Sequence, residues 1–258
     1  MRALGPAAVA ASCLLPVLSS LWPAACPAAV DAGGSVALTS DDVYQGLSMT
    51  CGHPAVQADV HARELGASGW AAFVGVWGSA GLNDTPCGSA RELDFYAGYN
   101  VALSADLSAT FTYTHYAFPG GDYANPHLAG ERYDYDQLAT SWGIMDRLYL
   151  TLAWTPDAIS SEQYEGELET EQNRSAFSYG AEWRQPLAAW LSLTAAAGYD
   201  RMADPYGTGY GFWSLGLTHQ AGPLEVDFGY FHTADRAQRL FGAESAGGRV
   251  SATVLWRF

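Results

Sequence analysis

The strongest constraint on the fold is an alternation of apolar and polar residues that recurs along the chain. Near the C-terminus, for example, Val250, Val254 and Trp256 alternate with residues that are mostly polar. Successive side chains of a β-strand point to opposite faces, so this spacing gives one apolar and one polar face. The same spacing returns in segments 93–101, 148–154, 177–183, 191–199 and 224–230. The pattern predicts an all-β protein.

Breaks in the alternation divide the chain into twelve predicted strands, joined by connections that are alternately short and long. The predicted strands cover residues 35–49, 55–64, 70–82, 90–103, 108–119, 134–145, 148–158, 173–186, 191–203, 212–221, 224–234 and 246–258. Their lengths match or exceed the roughly 9 to 11 tilted residues that cross a bilayer. An even number of such strands is typical of an outer-membrane barrel. We therefore predict a transmembrane antiparallel up-and-down β-barrel with both termini periplasmic and six long connections outside.

A soluble fold competes with this interpretation. In a secreted lipocalin-like barrel or a sandwich, the apolar rows would face a core instead of lipid, and the pattern alone leaves both assignments open. The C-terminal strand favours the membrane barrel, because it ends in Trp256 and Phe258. A terminal aromatic residue resembles the assembly signal of Gram-negative outer-membrane proteins, which predicts the barrel-assembly machinery, membrane lipid and lipopolysaccharide as partners.

Residues 1–32 have the pattern of an export signal that is cleaved. Arg2 gives a positive start, residues 3–22 are almost uncharged and apolar, and Val30-Asp31-Ala32 fits a small-residue cleavage site. A retained helical anchor and a lipoprotein acceptor at Cys26 are the alternatives. Cleavage after Ala32 leaves a single predicted barrel domain.

That mature domain is residues 33–258. Segments 36–48, 54–57, 75–79 and 92–99, with Leu152–Asp157 further along, resemble the TorF-type putative porins, a bacterial outer-membrane family also catalogued as the conserved hypothetical Gcw_chp proteins. One departure is Gln45-Gly46-Leu47, where the family usually has Arg-Gly-Ile or Arg-Gly-Leu. The resemblance implies a membrane barrel with a pore role and brings no catalytic residues.

Charge distribution indicates what the interior of such a barrel contains. The chain has 12 Lys plus Arg against 27 Asp plus Glu, a net charge of -15, which argues against a nucleic-acid partner. If the apolar rows face lipid, alternation turns one set of charged residues towards the lumen. The predicted lumen residues are Asp59, Arg63, Glu92, Asp94, Asp136, Glu182, Arg184, Asp200, Glu225, Asp227, Arg249 and Arg257.

This excess of carboxylates predicts an outer-membrane channel for passive diffusion of small hydrophilic solutes with a mild preference for cations. The alternative is a structural or adhesive barrel with a plugged lumen, which the aromatic lumen candidates Phe73, Trp77, Tyr96 and Tyr116 fit equally well. The arginine and acid pairs fit structural clamps across the barrel as well as a pore lining.

An outer-membrane phospholipase-like hydrolase is the less favoured third function. His115, His219 and His232 fall on the apolar rows, and no G-x-S-x-G segment occurs. The histidines show no metal-binding spacing, and we interpret the glutamates between Glu162 and Glu171 as a solvated loop.

No catalytic residue, metal or cofactor is predicted, and no oligomeric state is assigned. Cys51 and Cys87 are the cysteines of the mature chain, and export to an oxidising compartment predicts a disulfide between them. In the strand map they lie in the first and second outer connections.

Overall fold

Twelve antiparallel strands close into one β-barrel, which confirms the predicted fold class. The computed structural model describes residues 29–66, 70–82, 91–119, 134–164, 167–201 and 209–258, and their side chains except at 29, 65, 157–164 and 167–174. The barrel strands are β1 Ala29–Thr39, β4 Ala55–Leu65, β5 Trp70–Gly81, β6 Arg91–Ala102, β7 Leu107–Ala117, β8 Tyr135–Ile144, β9 Leu148–Tyr164, β10 Glu167–Ala188, β11 Leu191–Arg201, β12 Gly209–Ala221, β13 Leu224–Thr233 and β14 Arg249–Arg257.

Three further elements lie outside the barrel ladder. Strands β2 Val43–Tyr44 and β3 Leu47–Ser48 pair with each other, and α1 Asp235–Phe241 precedes β14. No helix among the described residues is long and apolar enough to cross a membrane.

Each barrel strand pairs with its neighbour in the chain, and the first strand pairs with the last. The register of β1 against β4 runs from Ala29 opposite Leu65 to Thr39 opposite Ala55. On its other edge β1 pairs with β14, from Ser35 opposite Arg257 to Thr39 opposite Thr253. Closure leaves no open sheet edge, which is the condition for a β-structure to exist in hydrocarbon.

The outer face of the barrel is apolar. Val60, Phe228 and Val250 are 61%, 56% and 54% exposed, and they belong to rows that continue over every barrel strand. The alternate residues, such as Thr39, Asp94 and Ser251, are buried on the interior side. Exposing this apolar face to water would cost free energy, whereas lipid chains would cover it. The apolar rows therefore face lipid, which excludes the soluble barrel or sandwich considered above.

The connections define two ends of the barrel. Short turns at 66–69, 103–106, 145–147, 189–190 and 222–223 lie at one end, together with the start of β1 and the end of β14. We call this the short-turn end and the opposite one the long-loop end. In outer-membrane barrels the short turns are usually periplasmic. The predicted orientation, with both termini at that side, agrees with this rule and stays a prediction.

The predicted first strand, 35–49, is wrong at its C-terminal end. Strand β1 stops at Thr39, and the chain then forms β2 and β3 before β4 begins. The two-residue turn between them consists of Gln45 and Gly46, both with positive φ of 49° and 79°. This is the geometry of a type I′ hairpin turn, which reverses the chain within the predicted strand.

The acidic connection predicted between residues 159 and 172 is also wrong. Strand β9 continues to Tyr164 and β10 starts at Glu167, so this hairpin extends past its neighbours at the long-loop end. Residues 167–171 read Glu-Leu-Glu-Thr-Glu, itself a period-two pattern, which explains why the strands continue.

The described β1 starts upstream of the predicted cleavage site. Residues Ala29 to Ala32 pair with β4, and Asp31 forms an ion pair with Arg63. Residues 1–28 lie outside the described residues, and the signal peptide stays a prediction.

Inward aromatic rings lie over glycines of the next strand. Phe73 is opposite Gly98 and Phe212 is opposite Gly198, and a Cβ on either glycine would run into the ring. Tyr96 covers Gly75 in the same way. Of the aromatic residues considered as a plug, Phe73 and Tyr96 therefore lie against the wall of the barrel.

Candidate functional site

The interior of the barrel carries the predicted charged residues, with one exception. The inward rows contain Asp59, Arg63, Glu92, Asp94, Glu182, Arg184, Asp200, Glu225, Asp227, Arg249 and Arg257. Strict alternation was enough to place them, because the apolar rows on the same strands face outwards.

Asp136 is the exception, and its lumen assignment is wrong. It shares the outward row of β8 with Leu138, which is 48% exposed, and it contacts outward side chains of β7. Tyr113 donates a hydrogen bond to Asp136 at 2.7 Å, and His115 Nδ1 lies 2.9 Å from the same carboxylate. Two polar partners near the long-loop end let a carboxylate occupy the outer face there.

Each inward arginine lies beside a carboxylate. Arg257 makes a bidentate pair with Glu225 at 2.9 and 2.9 Å. Arg63 contacts Asp31 at 2.7 Å, a pair that the predicted cleavage after Ala32 would remove. Arg184 pairs with Glu182 on its own strand. These pairs join residues of one strand or of neighbouring strands. They are therefore not the structural clamps across the lumen that the sequence also allowed.

The remaining inward carboxylates have no ion pair with arginine in the described part of the chain. Asp59 accepts a hydrogen bond from the Tyr96 hydroxyl at 2.6 Å and lies 2.5 Å from His61 Nδ1. Asp227 accepts one from Thr218 at 2.5 Å. Glu92, Asp94 and Asp200 add to this set. The arginines are thus used locally, and the interior keeps an excess of carboxylates.

A polar cavity of about 360 Å³ occupies the half of the lumen nearer the short-turn end. Its wall comes from β10 to β14. The carboxylates and guanidinium groups of Glu182, Arg184, Glu225, Asp227 and Arg257 line it, and serine and threonine hydroxyls fill the spaces between them. This part of the barrel holds open space rather than a packed core.

The long-loop half of the lumen is different, because the connection from β1 to β4 enters it. We call residues 40–54, which contain β2 and β3, the inserted hairpin. Although β1 and β4 are neighbours, Tyr44 interacts with Tyr116 of β7 and Gln137 of β8, three and four strands beyond β4. On the other side, Gly46 packs against Phe212 of β12 and Thr233 of β13. The inserted hairpin therefore crosses the lumen.

Asp41 holds the base of the inserted hairpin. Its carboxylate accepts hydrogen bonds from Ser48, from Thr50 at 3.0 Å and from the Gly52 amide at 3.3 Å. Arg249 of β14 donates to the same carboxylate at 3.2 Å, and both side chains are largely buried. One carboxylate thus folds the hairpin back on itself and ties it to the wall.

Asp42 makes the second connection to the wall. Ser79 of β5 donates a hydrogen bond to its carboxylate at 2.5 Å. Burial raises the pKa of Asp42 above its ordinary value, and the hydrogen bond from Ser79 opposes that shift. Because the folded state binds the Asp42 proton more tightly than the unfolded state does, protonated Asp42 stabilises the fold at low pH. This stabilisation is lost as the pH rises through the folded-state pKa of Asp42.

The tip of the inserted hairpin packs into a small apolar cluster at the long-loop end. Leu47 and Phe212 contact the buried Tyr210, Ala237 and Ala246, the last two from the segment around α1. A Cβ on Gly46 would lie 2.7 Å from Thr233 Cγ2 and 2.9 Å from Phe212 Cβ. Glycine is required at this position by space as well as by its positive φ.

Cys51 lies in the inserted hairpin and is disulfide-bonded. Cys87 lies outside the described residues, so its pairing with Cys51 stays a prediction. We expect a thiol titration of the denatured, unreduced mature protein to find no free thiol. Two free thiols would exclude the bridge, and titration after reduction is the positive control.

The histidines on the outer rows do not complete a hydrolase site in the described structure. His115 has an orienting carboxylate in Asp136, but the outward rows of β6, β7 and β8 carry no serine or cysteine among the described residues. A histidine and an acid without a nucleophile lack the first reactant of acyl transfer. No group of three potential metal ligands occurs within the described ranges.

A comparison with known protein families identifies the family of the chain. A model of bacterial proteins of unknown function, Gcw_chp, matches residues 23–256. The chain belongs to the Gcw_chp family. The match includes all twelve barrel strands of this Gcw_chp protein, apart from the last residue of β14. A comparison with curated proteins finds none that matches.

One similar solved structure has the same kind of fold, and two others align less well. A chain from the work "Unveiling the Mechanism Behind the in-meso Crystallization of Membrane Proteins" aligns with a TM-score of 0.58 at 9% identity, covering 88% of this chain and 83% of that one. The NanC porin aligns at 0.47 and 8% identity, with 86% and 97% coverage. The KdgM porin in complex with disordered oligogalacturonate aligns at 0.47 and 6% identity, with 88% and 99% coverage. At 9% identity, the similarity to the first of these structures shows a shared fold and nothing more.

The location of the Gcw_chp barrel follows from its outer face and its bacterial family. A closed, even-stranded barrel with an apolar outer belt requires a bilayer, and in bacteria such barrels occupy the outer membrane. The protein is an outer-membrane β-barrel.

Proposed function

We propose that this barrel is an outer-membrane channel for passive diffusion of small hydrophilic solutes, with a mild preference for cations. The observation that carries the proposal is the polar cavity of about 360 Å³, lined by more carboxylates than guanidinium groups. A purely structural barrel of this size would fill that space with side chains. The pore role implied by the resemblance to the TorF-type putative porins agrees with this function.

The pairing of the arginines supports the cation preference. Arg257 is held by Glu225 and Arg184 by Glu182, so neither guanidinium presents an unpaired positive charge to a solute. Asp227 and Asp59 contact hydroxyl, phenol or imidazole groups, and neither forms an ion pair with an arginine among the described residues. Carboxylates facing a narrow passage raise the local concentration of cations and lower that of anions.

A plugged structural barrel is the second candidate, and the inserted hairpin is the observation that favours it. The hairpin touches opposite sides of the wall at the long-loop end, through Tyr44 and Gly46. It lies above the cavity and leaves the short-turn half open. Conductance separates the two functions, because a plugged barrel carries no current.

We expect planar-bilayer recordings of the folded protein to show small, cation-selective channels. Asp227→Asn removes a lumen charge, and we expect it to lower the cation-to-anion permeability ratio about twofold. The ratio is obtained from the reversal potential in a potassium chloride gradient.

Asp136→Asn is the matched control, because Asp136 is a carboxylate on the outer face. It should leave the ratio unchanged. Absence of current from correctly folded protein would refute the channel, and anion selectivity would refute the proposed role of the lumen carboxylates.

A further inference from the structure

The inserted hairpin brings Tyr44 to the far wall of the lumen. Tyr44 lies among Tyr116 of β7, Tyr135 of β8 and Tyr210 of β12. These strands are spread around more than a third of the barrel circumference. Even so, 39% of the Tyr44 surface remains accessible. Open space therefore remains beside this side chain.

Two carboxylates lie on opposite sides of Tyr44. Glu92 belongs to β6 and Asp200 to β11, five strands apart in the ring of twelve, and both act electrostatically on the Tyr44 hydroxyl. Neither has an ion pair with arginine among the described residues. A solute that passes the inserted hairpin consequently moves between a phenol ring and two acidic groups.

Tyr44 itself stays neutral under ordinary conditions. Burial raises its pKa to about 12, and the nearby Asp200 and Glu92 act in the same direction. The ring can thus contact a cation through its face.

The inserted hairpin is too well fixed to move aside for each solute. Asp41 is bound to Arg249, Asp42 to Ser79, and the Ser48 amide to the Ser245 carbonyl at 2.8 Å. The Gln45-Gly46 turn leaves no room between Gly46 and the wall formed by β12 and β13. The opening beside Tyr44 therefore has a fixed size.

We propose that Tyr44 is the specificity-determining residue of the channel. With Asp200 it forms a constriction that passes small monovalent cations, including small ammonium compounds, and rejects anions and bulky cations. This inference rests on the proposed channel function. It adds that the size limit is set by the Tyr44 ring and the charge preference by the Asp200 carboxylate.

Four variants in planar bilayers test the two parts separately. Tyr44→Ala should raise the unitary conductance about twofold or more and admit tetraethylammonium, which the unmodified protein should exclude. Tyr44→Phe keeps the ring and should keep the size limit. Asp200→Asn should lower the potassium-to-chloride ratio and leave the size limit unchanged. Tyr149→Ala is the matched control, because Tyr149 contacts Arg184, away from the inserted hairpin.

The possible results distinguish this inference from the channel function. If the unmodified protein conducts and Tyr44→Ala behaves like it, the constriction is refuted and the channel stands. Equal effects of Tyr149→Ala and Tyr44→Ala also refute the special role of Tyr44. If only Tyr44→Ala conducts, the inserted hairpin is a plug and the inference is wrong. If no folded protein conducts, the channel function fails and this inference with it.

Discussion

Replacing Asp41 by alanine is expected to release the inserted hairpin from the lumen. The change removes the acceptor for Ser48, Thr50 and the Gly52 amide, and it leaves Arg249 without its carboxylate. Arg249 is only 11% exposed, so its charge would lose its main compensation inside the barrel. Breaking one partner of a buried pair costs about 3 kcal/mol or more, which shifts docking about a hundredfold towards the undocked state.

Limited proteolysis with chymotrypsin measures this release. In the unmodified protein Tyr44 and Leu47 are held in the lumen and should resist cleavage, whereas Asp41→Ala should be cut in the inserted hairpin while the barrel stays folded. Asp235→Ala is the control, because it removes an exposed carboxylate from α1. Equal protection of Asp41→Ala and the unmodified protein would show that Asp41 does not hold the hairpin.

Gly98→Ala is expected to destabilise the barrel more than an ordinary strand substitution. The added Cβ would collide with the Phe73 ring and lie 2.5 Å from the carbonyl oxygen of Phe111, a backbone atom that cannot move alone. Overpacking of this kind costs about 1–3 kcal/mol. The Phe73 ring would have to leave the wall and turn into the lumen, so we also expect a smaller conductance.

Gly180→Ala is the matched control for this substitution. Gly180 also faces inwards on a barrel strand, but the nearest atom to its added Cβ is Thr151 Cβ at 3.9 Å. Urea unfolding in lipid vesicles, followed by tryptophan fluorescence, should show a lower free energy of unfolding for Gly98→Ala and little change for Gly180→Ala. Equal stability of the two variants would contradict the packing of Phe73 on Gly98.

Most of the barrel could be predicted from the sequence, because alternation reports directly on which face of a strand meets lipid. The row that contains Asp94 and Tyr96 alternates with Leu93 and Phe95 over the whole of β6, so its inward direction needed no other information. The lumen prediction for Asp136 failed because this residue lies at the end of its strand, where a carboxylate has hydrogen-bond partners on the outer face. Periodicity carries no information about the depth of a residue in the membrane.

The inserted hairpin was missed because residues 43–48 include Val43, Tyr44 and Leu47, β-forming residues that read as a continuation of the predicted first strand. The local signal was Gln45-Gly46, and only the glycine of that pair is a strong turn former. The remaining information lies in contacts with residues that are distant in the sequence. Tyr44, Leu47 and Asp41 find their partners on β7, β12 and β14, which no spacing within the segment could indicate.

The binding of Asp41 to the last strand sets an order of events during assembly. Arg249 and Ser251 of β14, which both contact Asp41, are more than 200 positions away in the chain. They come into place only when β14 pairs with β1 and the ring closes. Contacts of such long sequence separation form late in folding. The inserted hairpin therefore takes its final place across the lumen only after the last seam has joined, and ring closure and lumen narrowing are coupled in one step.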